Sequence, residues 1–229
     1  MNQLILPYQK NIKHTFDNFF TDNNNNIQII DCIKNIYNQK NNHIYIWGDR
    51  SSGKSHLLHS ACNYYGEKNK NCVYFPLNDY KNFNCDIFNG FEEYDLVCID
   101  NLDSIYGDKE WEYSLFILLN RILNAEKKII FTSSLSLALD RIHLKDLQSR
   151  ISWGLIFMIN KPNDDIKGKI LKNIILEKEY NISLDVIKYL LKKEDRDITS
   201  LIDLIHKTGN YSLSVNKKIG TKNLNNIIK

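Results

Sequence analysis

Residues 48–55 read Gly48-Asp49-Arg50-Ser51-Ser52-Gly53-Lys54-Ser55, which is the G-x-x-x-x-G-K-[ST] spacing of a phosphate-binding loop. Each position has a chemical reason. The glycines let the backbone curl until successive N–H groups, those of Ser51 and Ser52 among them, point at phosphate oxygens. A helix beginning at the loop adds positive potential. Lys54 would reach the β- and γ-phosphates, and the Ser55 hydroxyl would ligate Mg²⁺. A partner follows about 45 residues on, where the apolar run Leu96-Val97-Cys98-Ile99 ends in Asp100, the carboxylate a second Mg²⁺ contact requires. Alone an apolar strand ending in Asp says little; behind a phosphate loop it carries weight. The next residue is Asn101. A carboxylate there could polarise an attacking water, whereas Asn can orient water but cannot take its proton. Losing a general base costs ~10²–10⁴ in rate. Asp103 is nearby, with a direction the sequence leaves open.

The elements that must hold these residues alternate. Apolar spacing over Ile27–Tyr37 predicts a helix, ended by Asn41-Asn42. His43–Trp47 reads as a strand running into Gly48, and Lys54–Tyr65 as the helix that follows the loop. Cys72–Leu77, Asp95–Asp100, Lys128–Ser133 and Gly154–Ile159 read as further strands, with a strongly apolar helix over Glu110–Leu123. Strands alternating with helices predict a parallel sheet covered on both faces. After Lys161-Pro162 only helical periods remain: Ile166, Ile170 and Ile174; then Leu184, Ile187 and Leu191 behind a Ser183 N-cap; then Ile198, Leu201, Ile202 and Ile205 behind Asp195 or Asp197. The expected organisation is a tail over 1–22, an α/β domain over 23–160 and a helical domain over 161–229.

The chain has 229 residues, 43% hydrophobic and 25% charged, ordinary for a globular protein with a real core. Its net charge of +3 is too small to argue for non-specific nucleic-acid binding. No apolar run approaches a membrane span, and the start lacks the character of a signal peptide. Five scattered cysteines without a CxxC read as reduced cytoplasmic thiols. The Asn- and Lys-rich runs at 23–26 and 38–42 are assigned no function.

Four segments, TFDNFF (15–20), YIWGDRSSGKSHLLHSACN (45–63), YDLVCIDNLDSI (94–105) and QSRISWGL (148–155), resemble the AAA+ module of the bacterial initiator DnaA. The resemblance runs from about residue 14 to about residue 208. It implies a P-loop fold of five parallel strands flanked by helices, with a small all-helical lid. Two features resemble more narrowly the Hda family of short DnaA homologues. The chain ends at Lys229, so no C-terminal helix-turn-helix is expected, and Gln3-Leu4-Ile5-Leu6-Pro7-Tyr8 is similar to a peptide that binds the polymerase sliding clamp. The resemblance implies a cytoplasmic negative regulator of DNA replication that holds ADP or ATP with Mg²⁺. It would bind the clamp's β subunit through Gln3, Leu4, Leu6, Pro7 and Tyr8, meeting DNA only through the clamp. It would stimulate hydrolysis of DnaA-bound ATP, itself turning ATP over weakly and with a homo-oligomer open. Arg150 falls at the arginine finger, Arg196 at the lid arginine that contacts the chain's own nucleotide, and Thr132 or Ser133 at the end of the fourth strand at the sensor position. Ile5 and Tyr8 depart from the family peptide.

Plainer roles stand beside these. Arg150 could be a surface ion-pair residue. His56 and His59 have metal-ligand spacing, but no third ligand is evident. Trp47 and Trp153 read as packing residues. Phe16, Phe19 and Phe20 could line an adenine site or staple the tail. A helicase loader gripping single-stranded DNA would need basic and aromatic residues along a channel and gives no reason for QLILPY. A self-sufficient hydrolase is disfavoured by Asn101.

Overall fold

The structure, a computed structural model, describes residues 14–137, 141–192 and 197–228. Five strands, β1 (His43–Trp47), β2 (Cys72–Pro76), β3 (Leu96–Asp100), β4 (Lys128–Ser133) and β5 (Leu155–Met158), form one sheet in the order β2-β3-β4-β1-β5. Every pairing is parallel, as strand–helix alternation requires. This is the P-loop AAA+ fold expected from the sequence.

Period-two alternation assigns the two faces. Tyr45, Val97, Ile99, Ile129 and Phe131 point to one side and pack with Trp111, Leu115, Leu118 and Ile122 of α3 (Lys109–Asn124) and Leu147 and Ile151 of α4 (Lys145–Ser152). Ile44, Ile46, Leu96, Cys98 and Ile130 point to the other and meet Ile29 and Ile33 of α1 (Asn24–Lys34) and Leu57, Leu58 and Ala61 of α2 (Lys54–Gly66). Each fully buried Leu or Ile contributes about 1.5–3 kcal/mol, so the sheet's middle is its firmest part. α5 (Asp164–Glu177), α6 (Asp185–Leu191), α7 (Ile198–Ser214) and α8 (Thr221–Ile228) form the lid around Leu171, Val186, Leu190, Leu201 and Ile205. No described helix is long and apolar enough to cross a membrane.

Several expectations shift. The first helix starts earlier because Asn23 caps it, accepting from the Asn25 and Asn26 N–H groups. Ser183 does not cap α6; its hydroxyl meets Asp185 Oδ2 at 3.5 Å, and Leu184 precedes the helix without a side-chain cap bond. Of the two candidate aspartates, Asp197 caps α7. The tail does not extend to residue 22: Phe16 is buried between α1 and α2, and the Asn63 side chain donates to the His14 carbonyl at 2.7 Å. From His14 onward the chain is part of the α/β body. Helices α4 and α8 were not expected.

Candidate functional site

The loop after β1 has the strained geometry its sequence prescribes. Ser51 and Gly53 take left-handed backbones, φ 61° and 96°. A Cβ on Gly48 would lie 2.5 Å from the Ile159 carbonyl oxygen, so only glycine fits beside that backbone. A Cβ on Gly53 would meet the Phe19 ring at 2.7 Å. Lys54 is buried, and its ammonium donates to the Gly48 and Asp49 carbonyls, each at 2.7 Å. Burial pushes its pKa below the ordinary lysine value, against the pull of Asp100, Asp103 and Asp49. The positive charge is therefore folded into the loop that must hold phosphate. Ser51 meets Thr199 of the lid, hydroxyl to hydroxyl, at 3.0 Å.

A cleft of about 660 Å³ opens above the loop. Ser52, Gly53, Lys54 and Ser55 form one end, while Phe20, Ile166, Ile170, Ile198 and Ile202 supply apolar surface toward the lid. A polar phosphate end joined to an apolar wall suits a nucleoside phosphate. The three phenylalanines divide: Phe16 staples the chain into the core, while Phe19, which covers Gly53, and Phe20 both line the cleft.

Asp100 ends β3 almost fully buried and accepts three hydrogen bonds. Tyr74 donates its hydroxyl to Oδ2 at 2.7 Å. The Thr132 hydroxyl and, at 3.1 Å, the Asn101 N–H donate to Oδ1. Burial and the Asp100 charge push the Tyr74 pKa far up, so the phenol stays a donor. The β3–β4 register, Ile99 beside Phe131, brings Thr132 level with Asp100. Ser133 is turned away, its hydroxyl accepting from the Leu135 N–H at 3.0 Å. Of the two sensor candidates, Thr132 is the one in contact with Asp100. Asp103 is occupied elsewhere: it accepts from both the N–H and the hydroxyl of Ser134. Asn101 itself takes a left-handed backbone, φ 57°, and lines the cleft. One carboxylate and one serine hydroxyl are hard oxygen donors that suit Mg²⁺, which keeps waters and substrate phosphates as its other ligands. No group of three or more His, Cys, Asp or Glu among the described residues could form an all-protein metal cage.

Arg150 lies at the other end of the sheet. The His43 ring Nε2 is 2.9 Å from the Arg150 carbonyl oxygen. His43 opens β1, whereas the phosphate loop follows its last residue, Trp47. The four steps from His43 to Trp47, at ~3.3 Å each, separate the ends by about 13 Å. The guanidinium stacks over Trp153, 4.7 Å from the ring centre. Trp153 is 64% exposed, so it is no core packing residue; it is a platform at the surface. Arg150 is not among the residues lining the cleft.

Two residues that the sequence reading missed shape these ends. Glu112 of α3 is fully buried and accepts from the N–H groups of Gly107, His143 and Leu144, holding the segment that leads into α4. A Glu inside an otherwise apolar helix stripe was the available signal. Tyr74 was read only as part of an apolar strand. The histidines are packing groups: His56 Nε2 lies 3.0 Å from the Thr15 carbonyl and from Asn18 Oδ1, and His59 stacks on Tyr74 with centroids 4.0 Å apart. His14 joins them, and burial, then the neighbouring His56 and His59, lowers its pKa to about 4. Gln3, Leu4, Leu6, Pro7, Tyr8 and Arg196 lie outside the described residues.

The family model for the bacterial DnaA ATPase domain matches residues 10–158. An uncharacterized protein of Haemophilus influenzae is 32% identical over 219 residues, covering 95% of this chain and 94% of its own. Among solved structures, domain III of the Thermotoga maritima replication initiation protein DnaA superposes with a TM-score of 0.80 at 22% identity, over 95% of this chain and 96% of that one. The AMPPCP-bound DnaA of Aquifex aeolicus gives a TM-score of 0.67 at 26% identity, over 89% and 68%.

Proposed function

The chain belongs to the bacterial DnaA ATPase-domain family, and from that premise we propose that it is an Hda-type regulator acting on the initiator in trans. It holds ADP or ATP in the cleft, with phosphates on the Gly48–Ser55 loop and Arg196 reaching the nucleotide from the lid. Ser55 and Asp100 hold Mg²⁺, which supplies charge neutralisation at the phosphates. Gln3, Leu4, Leu6, Pro7 and Tyr8 bind the sliding clamp as an extended peptide. Arg150 enters the nucleotide site of DnaA and stabilises charge on the phosphoryl group being transferred. The initiator is left in its ADP form and initiation is restrained.

The observation that supports this most is the separation of Arg150 from its own phosphate loop by the length of β1, with the guanidinium laid on an exposed tryptophan. An arginine so placed is suited to another subunit's nucleotide. Asn101, with Asp103 committed to Ser134, fits a chain that is a poor hydrolase by itself.

The test is hydrolysis of ATP preloaded on DnaA, in the presence of clamp loaded on DNA. The full chain accelerates it, and a protein lacking the first eight residues does not, while binding ADP as before. Hydrolysis unaffected by the full chain overturns the proposal; equal acceleration by the truncated protein removes the clamp peptide from it.

A further inference from the structure

Tyr74 stands where two parts of the nucleotide site meet. It comes from β2, neither from the phosphate loop nor from the strand that ends in Asp100. Its hydroxyl donates to Asp100 Oδ2 at 2.7 Å, while Thr132 and the Asn101 N–H occupy Oδ1. A carboxylate offers about four lone-pair positions, so three are fixed and little freedom remains for the group to turn. The Tyr74 ring is itself held. His59, carried by the helix that begins in the phosphate loop, stacks on it at 4.0 Å, and His14 stacks on His59 at 5.5 Å. His59 thus ties the orientation of the β3 carboxylate to the helix that carries Ser55.

We propose that Tyr74 is a positioning residue of the magnesium site: its hydroxyl fixes the Asp100 carboxylate, and His59 fixes Tyr74, so that Asp100 and Ser55 face one cation together. The proposal rests on the reading of Ser55 and Asp100 as the Mg²⁺ ligands. A partner that orients a metal ligand is typically worth ~10–100-fold in metal affinity. Tyr74→Phe removes only the hydroxyl and keeps the ring between His59 and the strand. His59→Ala keeps the hydroxyl and loosens the ring, so its effect has the same sign and is smaller.

The experiment is calorimetric titration of ADP into the full chain, in EDTA and across a MgCl₂ series. The wild-type protein binds ADP more tightly as Mg²⁺ is added. Tyr74→Phe leaves the EDTA affinity unchanged, which also shows that it is folded, and raises the Mg²⁺ concentration at half effect about tenfold. In an Asp100→Asn background, where the Mg²⁺ effect is already lost, Tyr74→Phe changes nothing further. A Tyr74→Phe protein with the wild-type Mg²⁺ dependence overturns the positioning role while leaving the metal site standing. A wild-type affinity indifferent to Mg²⁺ overturns the metal site and this proposal together. Should Tyr74→Phe fail to fold, the His59→Ala series decides: an unchanged Mg²⁺ midpoint overturns the chain from His59 to Asp100.

Discussion

The two ends of β1 are built on opposite principles. At its C-terminal end two charged groups are buried and bonded within the chain: Lys54 to two carbonyls of its own loop, Asp100 to Tyr74, Thr132 and Asn101. At its N-terminal end the Arg150 guanidinium rests on Trp153, away from the residues that line the cleft. A buried charge needs partners wherever it is, so the first end is a preformed receptacle. A partly exposed cation on an aromatic ring needs none, because water still solvates it. The chain keeps its phosphate loop and the Arg150 backbone about one strand length apart.

The strongest way to break this contrast is Arg150→Ala. Under the proposed function it lowers stimulated hydrolysis on DnaA by ~10³ or more, while ADP affinity and melting temperature stay at wild-type values. Arg150→Lys fails similarly, since a point charge lacks the planar fork of donors. A variant that still stimulates would make the exposed end an ordinary surface. Glu112→Leu tests from inside the segment that leads into α4. Three N–H groups lose their acceptor, at about 1–3 kcal/mol each for a buried group, so a melt should show a loss of several kcal/mol. An unaffected melt would mean that Glu112 does not hold the approach to α4.

At the receptacle end, Lys54→Ala removes a charge-assisted phosphate contact, and calorimetry should show ADP binding weakened at least tenfold, about 1.4 kcal/mol. Undiminished affinity would contradict the phosphate-loop assignment. His14 sharpens the contrast through pH. Its folded pKa of about 4 lies below the ordinary histidine value of 6.5, so between these values the unfolded chain binds the extra proton. Stability is fully present above the unfolded pKa and falls as pH drops through this window. His14→Leu should flatten the fall in melting temperature between about pH 6.5 and pH 4; an unchanged slope would put the linkage on other groups. The smallest effect belongs to Trp153→Ala. An exposed cation–π contact is worth ~0.5–1 kcal/mol, so stimulation should drop only a few-fold, and the melt should show a loss no larger than that. A loss as large as that of Arg150→Ala would give Trp153 a direct role at the partner.

The legible parts of the sequence were those governed by local rules. Trp47 leads straight into Gly48, and the strand–loop–helix order around Gly53 and Lys54 was read correctly, because the loop's curl is a property of its own residues. The five strands were read because fully buried parallel strands are continuous apolar runs. Helix α4 was not read: in KDLQSRIS only Leu147 and Ile151 are buried, too few for a periodic signal. The residues at 80–93 form short turns whose aromatic rings pack on Trp111 and Phe75, and such packing leaves no period in a sequence.

By itself the sequence determined that a phosphate loop opens a helix, that an aspartate ends a buried strand, and that an asparagine follows where a base could stand. Only the tertiary structure decided between Thr132 and Ser133 at Asp100, because strand register selects which side chain comes level with the carboxylate. It also committed Asp103 to Ser134, brought Tyr74 from a different strand onto Asp100, and set Arg150 one strand length from Lys54. The physical reason is the same in each case. A side chain's type and local direction follow from its neighbours in the chain, but its distance from a residue tens of positions away follows only from how the sheet and helices pack.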